Sequence, residues 1–145
     1  MAEDGLRLVF TNGCFDLLHP GHLRYLAEAR AMGDFLLVGL NSDRSIRAIK
    51  GGKLIGPPRP ICSEEVRAEM LAGLAAVDAV VIFDEETPCQ LIKALRPDVL
   101  VKGGDWSVDQ IVGSDLVLEN GGQVRSLLLA DGFSTTALIA RIVNG

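Results

Sequence analysis

The amino-acid sequence predicts an α/β fold, a doubly wound parallel sheet of five strands with helices on both faces. Apolar runs of strand length alternate along the chain with segments whose apolar residues recur at helical spacing. The runs are continuous rather than alternately apolar and polar, which is typical of strands buried on both sides in a parallel sheet. Because the 145 residues show no internal repeat and no long linker, we expect a single domain over residues 1–145.

The predicted elements have local signals at their ends. Gly33 and Asp34 interrupt the first helical pattern, and residues 41–43 can cap a short helix after the second strand. Residues 51–60 contain three glycines and three prolines, which predicts a loop, and Ser63 can begin the next helix. The predicted strands are residues 6–11, 35–40, 79–83, 98–102 and 123–128. The other predicted helices are residues 21–32, 87–95, 114–119 and 135–143.

Two helices carry an apolar stripe that predicts which side faces the core. In the first helix the stripe consists of His22, Tyr25, Leu26, Ala29 and Met32. In the helix that begins at Ser63 it consists of Val66, Met70, Leu74 and Val77. We expect both stripes to pack inward.

Composition and charge argue against several classes of protein. Apolar residues make up 48% of the chain, enough for a core without disulfides, yet no apolar run approaches the roughly 20 residues of a membrane span. The net charge of -5 argues against general nucleic-acid binding, which needs a basic surface. The first residues resemble no signal peptide, and the three cysteines are scattered. We therefore expect a cytoplasmic protein with free thiols and with no membrane or nucleic-acid partner.

Positive charge is concentrated in one segment of this acidic chain. Six of the 14 basic residues lie between residues 44 and 67, namely Arg44, Arg47, Lys50, Lys53, Arg59 and Arg67. The segment fits a binding site for a small polyanion, and it also fits a solvated charged loop. Charge alone leaves both interpretations open.

Both histidines of the chain follow the first predicted strand, at the entrance to the first helix. Ligands of open parallel sheets bind beyond the carboxyl ends of the strands. His19 precedes the helix and His22 lies in its first turn, so their side chains can point the same way. The free backbone N–H groups and the helix dipole there favour an anion. The pattern indicates a phosphate site. The alternatives are a metal site that includes Asp16 and a purely structural role for the histidines.

The segment FTNGCFDLLHPGHLRYLAEAR, residues 10–30, resembles the nucleotidyltransferase superfamily with a His-x-Gly-His signature, the Rossmann-like, cytidylyltransferase-like enzymes. Four motifs narrow the resemblance: TNGCFD, NSD, VKGGDW and DGFSTT, at residues 11–16, 41–43, 101–106 and 131–136. They are similar to the D-glycero-β-D-manno-heptose 1-phosphate adenylyltransferase family, which makes ADP-heptose, usually as one half of a protein fused to a sugar kinase. The resemblance covers essentially the whole chain, in order.

The resemblance implies a set of site residues. The catalytic residues would be His19, His22 and Lys50, which meet the phosphates and stabilise the charge that grows at the α-phosphate. The nucleotide-binding residues would be Asn12, Gly13, Phe15, Gly21, Lys102, Gly103, Ser134, Thr135 and Thr136. The acceptor would contact Asp16 and Arg67.

Some of these residues also have a local chemical reason and a simpler alternative. Residues 134–136 place hydroxyl groups at a predicted helix start, where they can hold phosphate oxygens or act only as an N-cap. Lys102, before two glycines, places a cation at the end of a strand, where it either reaches the nucleotide or merely ends the strand. Residues 105–106 either close over the nucleotide or, through Trp106, plug the edge of the core.

The implied reaction transfers AMP from ATP to a sugar 1-phosphate and releases pyrophosphate. The acceptor phosphate is largely ionised near neutral pH, because its second pKa is about 6, so it needs no general base. The site must then supply positioning and positive charge. Mg²⁺ is expected to bind mainly through the triphosphate rather than through protein ligands. No covalent enzyme intermediate is expected.

Two features depart from the family pattern. The loop over residues 50–60 is longer than expected and residues 61–63 differ, so the acceptor pocket can differ as well. No segment resembles the sugar kinase, which predicts either a separately encoded kinase or another acceptor. The alternatives are a cytidylyltransferase acting on glycerol 3-phosphate or a similar polyol phosphate, an FMN adenylyltransferase, and a nucleotide-binding module without catalysis. Because relatives are commonly dimers, we expect a homodimer.

Overall fold

A computed structural model describes residues 5–50, 59–104, 106–128 and 134–145, with the side chain of Lys50 outside the described part. Most of the predicted loop over residues 51–60 therefore lies outside the described residues. The strands are β1 Leu8–Gly13, β2 Phe35–Asn41, β3 Ala79–Phe83, β4 Val99–Gly103 and β5 Gln123–Leu127. The helices are α1 Pro20–Arg30, α2 Asp43–Lys50, α3 Glu64–Ala72, α4 Cys89–Leu95, α5 Ser114–Glu119 and α6 Thr135–Asn144.

The five strands form one sheet in the order β3-β2-β1-β4-β5, and every neighbouring pair is parallel. The chain winds outward from β1 to β3 and then crosses back to β4, so the direction of winding reverses between β1 and β4. A crevice opens at such a point beyond the carboxyl ends of the strands. The structure confirms the predicted doubly wound α/β fold and places the crevice beside Gly13 and Gly103.

Aspartates bind the backbone at the opposite, amino edge of the sheet. A side-chain oxygen of Asp98 accepts a hydrogen bond from the backbone N–H of Leu8 at 2.7 Å, and Asp78 accepts one from Leu36 at 2.8 Å. Each aspartate precedes a strand and binds the start of the neighbouring strand, which satisfies N–H groups that the ladder leaves unpaired. These contacts support the register of β4 against β1 and of β3 against β2.

Successive residues of the central strand point into two separate apolar layers. Val9 packs with Leu26 of α1 and Leu71 of α3, whereas Phe10 packs with Ile92 of α4 and with α5. The sheet is therefore covered on both faces, as continuous apolar strands predict.

The face that α3 turns to the core differs from the prediction. Val66 and Met70 were expected to point inward, but they are 46% and 56% exposed, and the buried side chains are Arg67 and Leu71. The helix is rotated by about one residue because the guanidinium of Arg67 finds hydrogen-bond partners inside the fold. The rest of the predicted stripe is correct, since Val77 is buried and Leu74 packs against the core. In α1 the stripe is confirmed for Tyr25, Leu26 and Ala29, all of which are buried, with Met32 packed beside them.

Candidate active site

A cleft of about 440 Å³ opens at the carboxyl edge of the sheet, where β1 and β4 lie side by side. Its walls come from the β1–α1 connection, the end of β4, the start of α6 and the segment before α3. The cleft is lined by Asn12, Gly13, Cys14, Phe15, Asp16, His19, Gly21, His22, Tyr25, Arg59, Lys102, Gly103, Ser134, Thr135 and Thr136. The structure thus brings together segments that lie more than 120 residues apart in the sequence.

The connection between β1 and α1 has an unusual backbone. Phe15 and Leu17 have φ values of 48° and 53°, in the left-handed region that non-glycine residues rarely adopt. A Cβ on Gly13 would lie 2.9 Å from the ring of Phe15, so only glycine lets this ring fold back against the end of the strand. Residues in such conformations persist where surrounding contacts hold them, and they are common at functional sites.

The two histidines are fixed by the backbone of α1. His19 is the N-cap, and its Nδ1 accepts a hydrogen bond from the N–H of Gly21 at 3.1 Å. The Nδ1 of His22 accepts one from the N–H of His19, also at 3.1 Å, and the two rings stack with their centroids 3.9 Å apart. An imidazole whose Nδ1 accepts a hydrogen bond carries its proton on Nε2 when neutral. Each ring therefore offers an Nε2–H donor.

Burial favours the neutral form of both rings. It lowers the pKa of His19, and burial together with the charge of His19 lowers the pKa of His22 to about 4. Protonation of either ring at Nδ1 would also break its hydrogen bond to the backbone. At neutral pH the site therefore consists of two neutral N–H donors beside the N-terminus of α1, which suits phosphate oxygens.

Tyr25 lines the cleft and fastens α1 to the sheet. Its hydroxyl is hydrogen-bonded to the hydroxyl of Thr11 on β1 and donates to the carbonyl of Val101 on β4 at 3.2 Å. Burial raises the pKa of Tyr25 to about 12, so the phenol stays protonated at physiological pH. One side chain thus joins the two strands that border the crevice to the helix that carries the histidines.

The N-terminus of α6 forms the opposite wall. The hydroxyl of Ser134 accepts from the N–H of Ala137 at 2.9 Å, so this side chain is an N-cap, the simpler of its two interpretations. The hydroxyl of Thr135 donates to the backbone carbonyl of Asp16 at 2.9 Å, which holds α6 against the β1–α1 connection. Thr136 also lines the cleft. Residues 131–133, the start of the DGFSTT motif, lie outside the described residues.

Lys102 lies between this cleft and a second cavity of about 270 Å³ on the other side of β1. Burial lowers its pKa, and its Nζ lies 5.8 Å from the centre of the Trp106 ring. The indole N–H donates to the carbonyl of Gly103 at 3.0 Å, while 44% of the Trp106 side chain stays exposed. The ring therefore covers the end of β4 rather than plugging the core, and it lines the second cavity.

The carboxylate of Asp16 is engaged by other parts of the protein. The residue is 2% exposed, and its two carboxylate oxygens accept hydrogen bonds from the N–H groups of Ile61 and Cys62 and from Nε of Arg59, at 2.8, 3.0 and 3.1 Å. Its role here is to hold the segment before α3 against the β1–α1 connection.

Arg67 lies behind the cleft and not on its wall. It is 1% exposed, and its guanidinium donates to the carbonyls of Cys14, Asn41 and Cys62 and forms an ion pair with Asp43 at 2.7 Å. These bonds tie together the ends of β1 and β2 and the starts of α2 and α3. The structure thus shows no contact between Arg67 and the cleft, and the expected contact with the acceptor stays a prediction. The side chain of Lys50 lies outside the described residues.

Three residues on the cleft wall were not among the predicted site residues, namely Cys14, Tyr25 and Arg59. Arg59 had a sequence signal in the basic segment, but nothing in its immediate neighbours showed that it faces the histidines. Tyr25 belongs to the apolar stripe of α1, so its polar end carried no separate signal.

The described residues form neither a metal-ligand cluster nor a membrane-spanning helix. Within the described parts of the chain, no three His, Cys, Asp or Glu side chains are grouped so that they could hold a metal ion. The three-ligand site with Asp16 is therefore not formed there, and the nitrogen Nδ1 of each histidine is engaged by the backbone. No described helix is long and apolar enough to cross a membrane.

Comparison with known proteins identifies the family of the chain. The family model for "Cytidylyltransferase-like" proteins matches residues 10–140. The chain is 56% identical over 140 residues to "Bifunctional protein HldE" of Syntrophotalea carbinolica and 57% identical over 138 residues to that of Caulobacter vibrioides. The matches include 97% and 95% of this chain, but the chain spans only 28% of the length of each relative.

A solved structure is also similar. The lipopolysaccharide core biosynthesis protein from Thermoplasma volcanium aligns with a TM-score of 0.66 and 28% sequence identity, over 87% of this chain and 98% of that one. Because the family model spans most of the sequence and includes both histidines and residues 134–136, the chain belongs to the cytidylyltransferase-like family of nucleotidyltransferases.

Proposed function

We propose that this nucleotidyltransferase transfers AMP from ATP to a sugar 1-phosphate, D-glycero-D-manno-heptose 1-phosphate, and releases pyrophosphate. The observation that carries the proposal is the convergence of two helix N-termini on one cleft. His19 and His22 begin α1 on one wall, and residues 134–136 begin α6 on the other. Both termini bring the positive end of a helix dipole to the same space, and the rings of His19 and His22 add side-chain donors, which suits a polyphosphate.

The second cavity offers a separate place for the acceptor. The two cavities share Asn12, Gly13, Cys14 and Lys102 at the carboxyl ends of β1 and β4. With a triphosphate beside α1 and α6 and the acceptor in the second cavity, the two ligands would meet over these shared residues. Lys102 would then lie beside the α-phosphate, where charge increases during transfer.

The chemistry needs no nucleophilic side chain. An oxygen of the acceptor phosphate attacks the α-phosphorus, the bond to the bridging oxygen breaks, and pyrophosphate leaves toward α6. The Nε2–H groups of His19 and His22 donate to phosphate oxygens and stabilise the charge that develops. The phosphate acceptor is already largely ionised, so no base has to remove a proton.

Magnesium fits this site as part of the substrate rather than as a resident metal. The oxygens that Mg²⁺ prefers are scarce on the described cleft wall, because the carboxylate of Asp16 is already engaged. The ion would enter on the triphosphate, and when bound it would neutralise charge on the phosphate oxygens.

The sugar acceptor is supported by sequence motifs and by similarity. TNGCFD and VKGGDW resemble the heptose-phosphate branch, and the similar solved protein is titled as one of lipopolysaccharide core biosynthesis. The relatives are named bifunctional and are much longer, which supports a sugar kinase as a pathway partner, fused or separate. Three free cysteines are consistent with a reducing, cytoplasmic setting. We also propose a homodimer, which light scattering would show as twice the chain mass.

Pyrophosphate release tests the proposal. The protein with Mg²⁺ is given ATP, CTP, GTP or UTP, each combined with heptose 1-phosphate, glycerol 3-phosphate or FMN. We expect turnover with ATP and heptose 1-phosphate. Turnover only with CTP and glycerol 3-phosphate would contradict the proposed substrates, and binding of ATP without turnover in any combination would contradict the proposed catalysis.

A further inference from the structure

Arg59 is a nearly buried cation on the wall of the cleft whose bonding is incomplete. Its side chain is 6% exposed, and Nε lies 3.1 Å from a carboxylate oxygen of Asp16. Within the described residues, this is its only hydrogen bond or ion pair. Among the residues that the structure describes, the two terminal Nη groups, with four N–H donors, therefore make no hydrogen bond. Because Arg59 lines the cleft, these donors are placed to bind a ligand there that carries several acceptor oxygens.

The ligand that matches these donors is a phosphate group. A guanidinium held through Nε presents its Nη groups as a planar pair, which matches two oxygens of one phosphate or of adjacent phosphates. Arg59 shares the cleft with His19 and His22 at the start of α1. Asp16 does not cancel this role, because it binds only Nε of Arg59 and its carboxylate also accepts hydrogen bonds from the backbone of Ile61 and Cys62.

The position within the cleft points to the leaving group rather than to the acceptor. Asp16 binds Arg59 through its carboxylate and accepts from Thr135 through its carbonyl, so a single residue links Arg59 to the start of α6. Arg59 lines the first cavity and is absent from the lining of the second, where the acceptor is proposed to bind. Arg59 is not one of the residues that the two cavities share, which are Asn12, Gly13, Cys14 and Lys102.

We propose that Arg59 is a pyrophosphate-binding residue, whose Nη groups hold oxygens of the β- and γ-phosphates while Asp16 holds its Nε. This inference rests on the proposed function, since it assigns one end of the cleft to the leaving group. Asp16 is then a positioning residue: it fixes the guanidinium before the nucleotide arrives, which reduces the side-chain ordering that binding would otherwise require.

Titration with Mg²⁺-pyrophosphate and, separately, with AMP tests the proposal. The full chain is compared with Arg59→Ala, Arg59→Lys and Arg125→Ala, the last removing an equal charge from an exposed position on β5 outside both cavities. We expect Arg59→Ala to weaken pyrophosphate binding about 10- to 100-fold, the range of hydrogen bonds to charged groups, and AMP binding less than twofold. Arg59→Lys keeps the charge but loses the planar fork, so we expect a loss of about tenfold. Arg125→Ala should bind both ligands like wild type.

The proposal is overturned if both Arg59 variants bind pyrophosphate like wild type, if they lose AMP and pyrophosphate affinity equally, or if sugar 1-phosphate is the ligand that they bind more weakly. Thermal melts check folding, and Arg59→Lys preserves the ion pair with Asp16 if the alanine variant unfolds. Failure here is distinct from failure of the proposed function. If the wild type transfers AMP and both Arg59 variants keep full pyrophosphate affinity, only the role of Arg59 is refuted. A selective loss of pyrophosphate affinity in a chain with no transferase activity upholds it.

Discussion

Replacing each histidine by a side chain that keeps its cap separates the stability of α1 from the chemistry of the cleft. His19 caps the helix through Nδ1, and His22 accepts from the N–H of His19. Asparagine is a good N-cap and glutamine suits the third helical position, so His19→Asn and His22→Gln retain these acceptors. We expect each to unfold within about 0.5 kcal/mol of wild type, whereas His19→Ala should lose about 1 kcal/mol with its cap.

Turnover should follow a different order from stability. His19→Asn and His22→Gln each remove an Nε2–H donor from the phosphates. Loss of one such donor typically lowers the rate by about 10²- to 10³-fold. Pyrophosphate release at saturating ATP and urea unfolding are measured on the same preparations. His19→Asn and His19→Ala should be almost equally slow although they differ in stability. If turnover instead recovers to near wild type in His19→Asn, the imidazole is only a cap and the proposed mechanism is refuted.

Three further predictions concern pH, Arg67 and the face of α3. The pKa of His22 is lowered from 6.5 in the unfolded chain to about 4 in the folded protein. As the pH falls, His22 is therefore protonated in the unfolded chain first, so the folded state has the full contribution of His22 to stability above pH 6.5. This contribution should be lost as the pH falls from 6.5 towards 4, by about 1–2 kcal/mol after allowing for solvent screening, and it should be missing in His22→Gln unfolding curves. Arg67→Met should lower the free energy of unfolding by about 3–5 kcal/mol, since it leaves Asp43 without its partner. On α3, Leu71→Ala should lose about 2–5 kcal/mol, whereas the exposed Met70→Gln should change stability by less than about 0.5 kcal/mol.

Each of these has a clear contrary result. Parallel pH profiles of wild type and His22→Gln would show that the ring is not neutral in the fold. An Arg67→Met protein that melts like wild type but has a raised KM for the acceptor would restore Arg67 to acceptor binding. Equal losses at Met70 and Leu71 would contradict the orientation of α3.

The fold and much of the cleft wall follow from local patterns in the sequence. Continuous apolar strands predict a sheet covered on both faces, and that sheet brings the end of β1 to the crevice beside β4. His19 and His22 could be predicted to lie at the start of a helix because Pro20 and Gly21 mark it.

What could not be predicted depends on contacts between distant residues. Apolar spacing treats a buried arginine as polar surface, so it placed Val66 and Met70 inward where Arg67 and Leu71 lie. The pairing of Asp16 with Arg59 joins residues 43 positions apart, and local sequence carries no signal for it. The same carboxylate also accepts from Ile61 and Cys62, so Asp16 anchors the segment before α3, which local sequence does not indicate.

Transfer of the α-phosphate is the central claim, and following that atom tests it most directly. The protein with Mg²⁺ is given ATP labelled with ³²P at the α-position and heptose 1-phosphate, and the products are separated and weighed by mass spectrometry. We predict that the label appears in an ADP-sugar, in a one-to-one ratio with released pyrophosphate, and that no label stays on the protein. Label that remains in ATP, or that appears as AMP or as a covalent protein adduct while no ADP-sugar forms, would contradict the account.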